Sequence, residues 1–313
     1  MRRTSVARLF EDNRERLQLT HLAGSLDAEL QVPDENVWPA ELIGHLNVIH
    51  PNRVQVLGAP ERAWIERQGR EKAQRILEVI AHSKPPAIII ADGCELMDPI
   101  PAVIKTNGTA LLTTPLETAG VIDRLRAYIA RSLALKTSLH GVFMDVLGLG
   151  VLITGDSGAG KSELALELIS RGHGLVADDV VEVARIAPGV LEGHSPEMLR
   201  NFLEVRGLGI LNIRTVFGET ACRRKMKLKL VVHLQRQTRG EGLAMPRLPL
   251  EDDMQSILDV PVRRITLPVA AGRNLAVLLE AAVRNTILQL RGIDSLQEFI
   301  DRQREALERG NNL

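Results

Sequence analysis

Short apolar segments alternate with amphipathic segments along the first 130 residues of the chain. The segment from Glu61 to His82 repeats apolar residues at helical spacing and predicts one long helix that stops before Pro85-Pro86. Further helices are predicted within residues 1–16 and from Pro115 to Leu135. The apolar runs between them predict short strands at 17–23, 46–50, 54–57, 87–91, 104–106 and 110–113. This alternation predicts a small α/β domain over residues 1–130.

The second half of the chain repeats the alternation and contains one junction that suggests chemistry. Val146 to Thr154 is predicted as a buried strand, and Ser162 to Ser170 as the helix that follows it. Other strands are predicted at 175–179, 225–233 and 265–269, and other helices at 275–290 and 296–308. Residues 131–313 are therefore predicted as a second α/β domain, because the chain exceeds the length of a typical single domain.

The segment between the predicted strand and helix fits the phosphate-binding consensus G-x-x-x-x-G-K-[ST]. Its residues are Gly155, Asp156, Ser157, Gly158, Ala159, Gly160, Lys161 and Ser162. Backbone N–H groups of such a loop converge on phosphate oxygens, assisted by the positive end of the following helix. We expect Lys161 to reach the β- and γ-phosphates of a nucleotide and the Ser162 hydroxyl to bind Mg²⁺.

Two acidic residues, Asp178 and Asp179, end the next predicted strand. Beside a phosphate-binding loop, one acid can hold Mg²⁺ through water and the other can accept a proton. Only 16 residues separate Lys161 from Asp178, which is enough for one helix and a turn, so we expect the two segments to lie close together.

A second polar segment, residues 201–213, contains Glu204 and Arg206 two positions apart. On a strand these two side chains would share a face. The neighbouring Gly207 and Gly209 would allow the backbone to approach a ligand closely. From the residues alone, this segment could equally be an exposed strand with an ion pair.

Composition excludes several classes of function. The chain has 39 basic and 39 acidic residues and only 3% aromatic residues, which argues against nucleic acid as a partner. Two cysteines are too few for a disulfide framework or a cysteine metal site. No run of 18 apolar residues and no signal-type segment is present, so we expect no membrane span and a cytoplasmic protein.

Five motifs in this order resemble the HPr kinase/phosphorylase family. They are His140-Gly141, the loop 155–162 with Glu163, Ala177-Asp178-Asp179, the stretch 204–209, and the stretch 268–274. The resemblance covers nearly the whole chain and implies a P-loop kinase domain of the carboxykinase-like type. It implies an enzyme that uses ATP, or pyrophosphate, with Mg²⁺ to phosphorylate a serine of HPr, the phosphocarrier protein of the bacterial sugar phosphotransferase system. Inorganic phosphate would reverse the reaction, and the enzyme would be a homohexamer.

The resemblance also implies a role for individual residues. Residues 155–162 would bind the nucleotide, with Lys161 on the β-phosphate, and Ser162 and Glu204 would bind the metal. Asp179 would take the serine proton in the kinase direction and return it in phosphorolysis. His140 would interact with that acid or with the incoming phosphate, and Asp178 would lie near the metal.

Three further features of the family fall on this sequence. Arg206 lies within the family's signature stretch, residues 203–212. A loop arginine corresponds to Arg247 in the polar segment 240–253, although Arg236 and Arg239 lie nearby. The stretch with Pro268, Gly272 and Arg273 corresponds to a loop tied to dephosphorylation. Many members carry Arg-Pro where this chain has Ala270-Ala271, so the strength of the phosphorylase activity stays open.

Two other classes of function are compatible with the same residues. A small-molecule or carboxykinase-like kinase could use the loop and the acid pair, but it would need a substrate pocket with its own cations. A non-catalytic ATP-binding regulator would bind nucleotide without transfer. The first domain carries no phosphate loop, metal cluster or nucleophile that indicates its role.

Overall fold

Two separate units divide the chain, Met1–Ala134 and Leu135–Leu313. A computed structural model describes residues 2–32, 37–46, 49–50, 53–98, 100, 104, 107–236, 253–270 and 272–310. The division follows the last helix of the first unit, Thr118–Ser132, whereas the sequence prediction placed it at residue 130, inside that helix. None of the described helices is long and apolar enough to cross a membrane.

The first unit is built on a mostly parallel sheet. Its strands are β1 (Arg3–Ser5), β2 (Thr20–Ala23), β3 (Glu29–Gln31), β4 (Ile43–His45), β5 (Val54–Leu57), β6 (Ala87–Ile90) and β7 (Ala110–Thr113). Its helices are α1 (Val6–Asn13), α2 (Ala59–Arg67), α3 (Arg70–His82) and α4 (Thr118–Ser132). The five-stranded sheet has the order β2-β7-β6-β5-β4, in which β4 to β7 are parallel and β2 is an antiparallel edge. Strands β1 and β3 form a separate antiparallel pair.

Helices cover both faces of this sheet. Ile89 of β6 packs in one apolar cluster with residues of α1 and α4, while its neighbours Ile88 and Ile90 pack in another with residues of α2 and α3. A strand buried on both faces reads as a continuous apolar run, which is why Ala87–Ile90 was predictable from the sequence.

Several predicted elements of the first unit are wrong at their ends or in their type. The helix predicted from Glu61 to His82 is two helices, α2 and α3. Gly69 between them adopts a positive φ of 82°, which interrupts the helix. The strand predicted at 46–50 lies instead at β4, just before it. Ile104, predicted as a strand residue, is helical. The helix predicted at 115–135 is shorter than predicted: it begins at Thr118 and ends at Ser132.

The second unit contains one large sheet and a separate hairpin. Its strands are β8 (Leu135–His140), β9 (Val142–Val146), β10 (Leu149–Gly155), β11 (Gly174–Ala177), β12 (Val180–Ala187), β13 (Val190–His194), β14 (Phe202–Val205), β15 (Gly209–Asn212), β16 (Lys225–Arg236), β17 (Met254–Ile257) and β18 (Val260–Val269). Its helices are α5 (Lys161–Ser170), α6 (Ile213–Phe217), α7 (Leu275–Leu290) and α8 (Ser295–Gly310). The nine-stranded sheet follows the order β11-β9-β10-β16-β13-β12-β8, with β18 paired to β16 and β17 to β18.

The centre of this sheet is parallel and the flanks are antiparallel. Strands β10, β16 and β18 run parallel to one another, and α5 and α7 pack on one face of them in an apolar cluster with Val151, Ile153 and Val232. The alternate residues Leu152 and Val231 lie in a second cluster on the other face, with residues of β11, β12 and β17. The sheet therefore carries a helical layer on one side and a strand-lined core on the other.

The prediction for the strand before the phosphate loop is wrong at its start. Val146 ends β9, and a turn at Leu147-Gly148 joins it to β10, so the apolar run 146–154 spans a hairpin. The helix predicted at 275–290 is confirmed, and the Asn274 side chain caps it by accepting a hydrogen bond from Val277 N at 2.9 Å.

Candidate active site

The predicted phosphate loop joins β10 to α5 at the carboxyl edge of the parallel strands. Gly155 ends β10 with a φ of 145°, and a Cβ placed on it would lie 2.6 Å from Leu234 O on the adjacent strand β16, so only glycine fits there. Gly160 adopts a left-handed φ of 89° and precedes the first turn of α5. The strand, loop and helix thus stand in the order that phosphate binding requires.

Three cationic side chains border the loop. Lys161 Nζ donates to Gly155 O at 2.8 Å and to Asp156 O at 3.0 Å. The Arg236 guanidinium donates to Gly158 O, and Arg206 Nη1 lies 3.3 Å from the position that a Gly158 Cβ would occupy. Their positive charges would attract an anion such as phosphate to the loop. The sequence predicts Arg236 only as an alternative to Arg247. Its position at the carboxyl end of β16, parallel to the loop strand, was the signal available.

Two connections between strands, called crossings here, form a corner that brings the acid pair Asp178-Asp179 beside the phosphate loop. Strand β8 passes into β9 through Gly141, and β11 passes into β12 through Asp178 and Asp179. The crossings lie side by side, since Gly141 N donates to Asp179 O at 3.1 Å and His140 pairs with Val180. A Cβ on Gly141 would lie 2.5 Å from Ile153 O, so the corner packs directly against β10. This packing holds the corner beside the loop.

The two acids of the corner differ in environment. Asp178 is buried, and its Oδ2 accepts a hydrogen bond from Glu204 N at 2.9 Å. Burial raises the pKa of Asp178 above its ordinary value, more than the backbone hydrogen bonds of Glu204 and Asp179 lower it. The side chain of Asp179 is 64% exposed, and its Oδ1 lies 3.1 Å from Nδ1 of His140. Its backbone adopts a left-handed φ of 64°, which aspartate tolerates better than most residues.

One open cavity of about 190 Å³ lies between the loop and the corner. Its described lining comprises residues of both: His140, Gly141, Ser157, Gly158, Gly160, Lys161, Ser162, Glu163, Asp178, Asp179, Glu204 and Arg206. The volume is below the roughly 300 Å³ of a typical small-ligand pocket, so it suits phosphate groups and a reacting hydroxyl more than a whole nucleotide.

The remaining predicted site residues lie away from the cavity or outside the described residues. Pro268 lies near the end of β18, and Gly272 and Arg273 immediately precede α7; none of the three is among the described residues that line the cavity. Arg247, and the predicted polar segment 240–253 apart from Asp253, lie outside the described residues. Ala270 is described and Ala271 is not.

The oxygen donors of the cavity fit a magnesium ion. Ser162, Asp178 and Glu204 supply one hydroxyl and two carboxylates around the same space. Magnesium usually takes one or two protein carboxylates and keeps water and phosphate oxygens as its other ligands. The described part of the chain contains no group of three or more His, Cys, Asp or Glu side chains arranged to hold a metal by themselves. The arrangement therefore suits an ion that shares its coordination with phosphate.

A histidine beside the loop was missed by sequence reasoning. His233 lies within the apolar strand β16, in register with Thr154 of β10, and its Nδ1 lies 3.1 Å from Thr154 Oγ1. Burial, and then the nearby Arg264 and Lys161, hold the pKa of His233 below its ordinary value in spite of Asp156 and Asp253. The imidazole is consequently neutral near pH 7 and adds no charge to the site.

Comparison with known proteins supports one family over both units. The family model for the HPr Serine kinase N terminus matches residues 4–129, and that for the HPr Serine kinase C-terminal domain matches residues 131–303. A protein of Azoarcus sp. (strain BH72) named HPr kinase/phosphorylase is 65% identical over 98% of both chains. One of the same name from Aromatoleum aromaticum is 64% identical, again over 98% of both chains.

A solved structure from Coxiella burnetii is also similar. It is described as the Hpr(Ser) kinase/phosphatase, is 36% identical, and covers 52% of this chain and 98% of its own, with a TM-score of 0.46. The two matching models together span most of this sequence, and the two relatives exceed half identity along nearly its full length. The chain belongs to the HPr serine kinase family.

Proposed function

We propose that the cavity of the second unit transfers a phosphoryl group from ATP to a seryl residue of HPr and removes it again with inorganic phosphate. The observation that carries this proposal is the exposed Asp179 carboxylate, which faces the same cavity as the phosphate loop and lies beside His140. Phosphoryl transfer needs positioning and charge neutralisation more than covalent chemistry, and the cavity offers both.

The phosphate loop and its cations would hold the transferred group. Amides at the start of α5 would bind phosphate oxygens, and Lys161 would leave the Gly155 and Asp156 carbonyls to contact the β- and γ-phosphates. Arg206 would add charge beside Gly158 of the loop, because it also lines the cavity. Positive charge aimed at the equatorial oxygens stabilises the transition state because negative charge accumulates there.

Asp179 is the proposed proton acceptor. In the kinase direction the seryl Oγ bonds to the γ-phosphorus, the bond from that phosphorus to the bridging oxygen breaks, and the seryl proton moves to Asp179. In the reverse direction an oxygen of inorganic phosphate bonds to the phosphoserine phosphorus. The seryl oxygen leaves, takes the proton back from Asp179, and pyrophosphate forms. His140 would orient the carboxylate through its 3.1 Å contact.

Ser162 and Glu204 are the proposed magnesium ligands, with Asp178 beside them. Magnesium bound there would neutralise charge on the transferring phosphate. Asp178 cannot serve equally well as the base, because it is buried and already accepts the hydrogen bond from Glu204 N. Burial of one acid and exposure of the other therefore supports the division of roles between them.

The other expectations from the family belong to the same proposal. They are pyrophosphate as an alternative donor, a catalytic Arg247, a contribution of Pro268, Gly272 and Arg273 to dephosphorylation, a homohexamer, and action in the cytoplasm. The family assignment favours this reading over a small-molecule kinase or a nucleotide-binding regulator.

Replacing the proposed base tests this function. Asp179→Asn should lower transfer of label from γ-labelled ATP to HPr, and its release by added phosphate, by about 10³-fold each, since a general base contributes about that much. ATP binding should stay within about twofold of wild type, because the phosphate loop is unchanged. Asp259→Asn is a matched control: Asp259 is also exposed and has a left-handed φ of 60°.

Three outcomes would contradict the proposal. Normal labelling of HPr by Asp179→Asn would show that another group takes the proton. ATP binding by wild type without transfer to any protein would support the regulator. Transfer to a small molecule but not to HPr would support the small-molecule kinase.

A further inference from the structure

The hairpin of β14 and β15 has a buried face and an exposed face. Leu203 and Val205 are buried and, with the partly buried Leu211, belong to the apolar cluster shared with α5 and α7. The pairing places Leu203 opposite Leu211, so this face anchors the hairpin to the second unit. The other face is thereby fixed in position and turned outward.

The outward face carries exposed apolar side chains beside Glu204, where a solvent-facing surface is usually polar. Ile210 is 71% exposed and lies directly across from Glu204, Leu208 at the tip is 64% exposed, and Phe202 is 39% exposed. A turn between Gly207 and Gly209, both left-handed, normally carries polar residues. Contiguous exposed apolar side chains commonly mark a surface that another molecule covers.

This face continues into the rim of the catalytic cavity. Glu204 and Arg206 line the cavity, and Phe202 and Ile210 lie on the same face of the hairpin as Glu204. A second copy of the chain seated on this face would crowd the cavity mouth. A protein substrate has to contact the rim of the cavity, because its seryl oxygen must come within about 3.5 Å of the phosphorus to react. The surface around that serine therefore meets the hairpin.

We propose that the outward face of the β14–β15 hairpin docks HPr, with Leu208 and Ile210 as its apolar anchors. The inference rests on the proposed function, since it places the protein substrate of that same cavity. Transient complexes bury little surface, and a few central side chains supply most of their binding energy. Two exposed aliphatic residues beside the reacting groups satisfy that description.

The test is a kinetic comparison of two full-length variants. Leu208→Gln and Ile210→Gln should each raise KM for HPr by about tenfold, equivalent to about 1.4 kcal/mol. The value of kcat at saturating HPr and the Kd for ATP should stay within about twofold, because neither side chain touches the phosphate loop. Phosphorolysis should show the same rise in KM for phosphorylated HPr. Thermal unfolding should be unchanged, since both side chains are exposed.

Leu290→Gln is the matched control. Leu290 is a leucine like Leu208, with a similar exposure of 63%. It ends α7, next to Gln289, which contacts Arg263 in the amino-terminal half of β18. Its KM for HPr should equal that of wild type. Sedimentation of all three variants should match wild type.

The inference is overturned by an unchanged KM in both hairpin variants, or by an equal rise in Leu290→Gln. A change in sedimentation with no change in KM would assign the face to a second copy of the chain. If wild type itself does not phosphorylate HPr, the proposed function fails, and this inference fails with it; an active wild type with unaffected variants removes the docking surface alone.

Discussion

Helix N-termini meet the carboxyl edge of a parallel sheet in both units, and the two units use them in opposite ways. In the first unit Asp92 follows β6 and fills the space between α2 and α4. Its Oδ2 accepts hydrogen bonds from Ala59 N at 2.7 Å and Thr118 Oγ1 at 2.8 Å, and its Oδ1 accepts one from Thr118 N at 3.0 Å. In the second unit the start of α5 faces the cavity, bordered by cations.

A helix N-terminus can therefore become a ligand site only where the chain leaves its amides accessible. Around Asp92 there is no space: a Cβ on Gly58 would lie 1.8 Å from Thr118 Oγ1 and 2.1 Å from Asp92 Oδ2. The carboxylate satisfies donors that would otherwise bind an anion. The dipole and the first amides of a helix therefore serve stability in the first unit, at α2 and α4. In the second unit, at α5, they are proposed to serve substrate binding.

The largest effect is expected at the N-terminus of α5, the open terminus, whereas the termini of α2 and α4 at Asp92 are the closed ones. Lys161→Met should lower transfer of phosphate to HPr by at least about 10³-fold, about 4 kcal/mol, because the charge opposite the transferring phosphate is lost. Unfolding temperature should change little, since Lys161 donates to two carbonyls of its own loop. Lys225→Met, which removes the pairing of Lys225 with Glu192 at 3.1 Å, should leave transfer intact. Near-normal transfer by Lys161→Met would remove the lysine from the proposed mechanism.

At the closed terminus the loss should be of stability. Asp92→Ala leaves the first amides of α2 and the Thr118 donors without their acceptor, which should cost about 3 kcal/mol, the sum of two helix caps. Amide hydrogen exchange in α2 and α4 should quicken accordingly at pH 7. Exchange in α5 should stay unchanged. Equal protection of α2 in variant and wild type would show that Asp92 does not close this terminus.

The hydrogen bonds of Asp92 should also depend on pH. Burial raises the pKa of Asp92, but the hydrogen bonds from Ala59 and Thr118 outweigh it and hold the pKa below its ordinary value. The contribution is therefore present above the unfolded value of about 3.9 and is lost as pH falls through the lower folded value. Protection of α2 and α4 in wild type should fall in that range. Asp92→Asn should lack this step.

The sequence predicted the local parts of this contrast and missed the distant ones. The phosphate loop was predictable because eight consecutive residues carry it. The sequence also predicted that the acid pair lies close to the loop, but not the corner at Gly141 and Asp179, since that corner depends on a hydrogen bond between residues 38 positions apart. Nor could spacing show that Asp178 is buried and Asp179 exposed, or that Asp92 reaches two helices. Burial and long-range hydrogen bonds are properties of the packed chain.

A smaller effect is expected at the far end of the loop helix. Glu280 of α7 accepts from Arg171 Nε and Nη2 at 2.7 Å each and from His173 Nε2 at 2.9 Å, just beyond α5. Hydrogen bonds from Arg171 and then His173 lower the pKa of Glu280 to about 2. Its stabilising contribution is present above the unfolded value of about 4.3 and is lost as pH falls from there to about 2.

Glu280→Gln should therefore destabilise the second unit by about 1–2 kcal/mol at pH 7. The difference from wild type should shrink as pH falls from about 4 to 2, which urea unfolding followed at several pH values would measure. ATP binding should persist, because the open terminus lies at the other end of α5. A difference that does not depend on pH would mean that the charge of Glu280 contributes nothing.

The smallest effect is expected where a single side chain caps a single helix. Ser5 Oγ accepts a hydrogen bond from Arg8 N at 3.2 Å at the start of α1. Ser5→Ala should lower the free energy of unfolding by about 0.5–1 kcal/mol, since water can replace an exposed cap. The buried side chains of Val6, Leu9 and Phe10 still hold α1 in place. Hydrogen exchange should quicken in α1 far less than Asp92→Ala quickens it in α2. Equal losses would show that bridging two helices gives Asp92 no advantage over an ordinary cap, and the contrast between closed and open termini would reduce to capping alone.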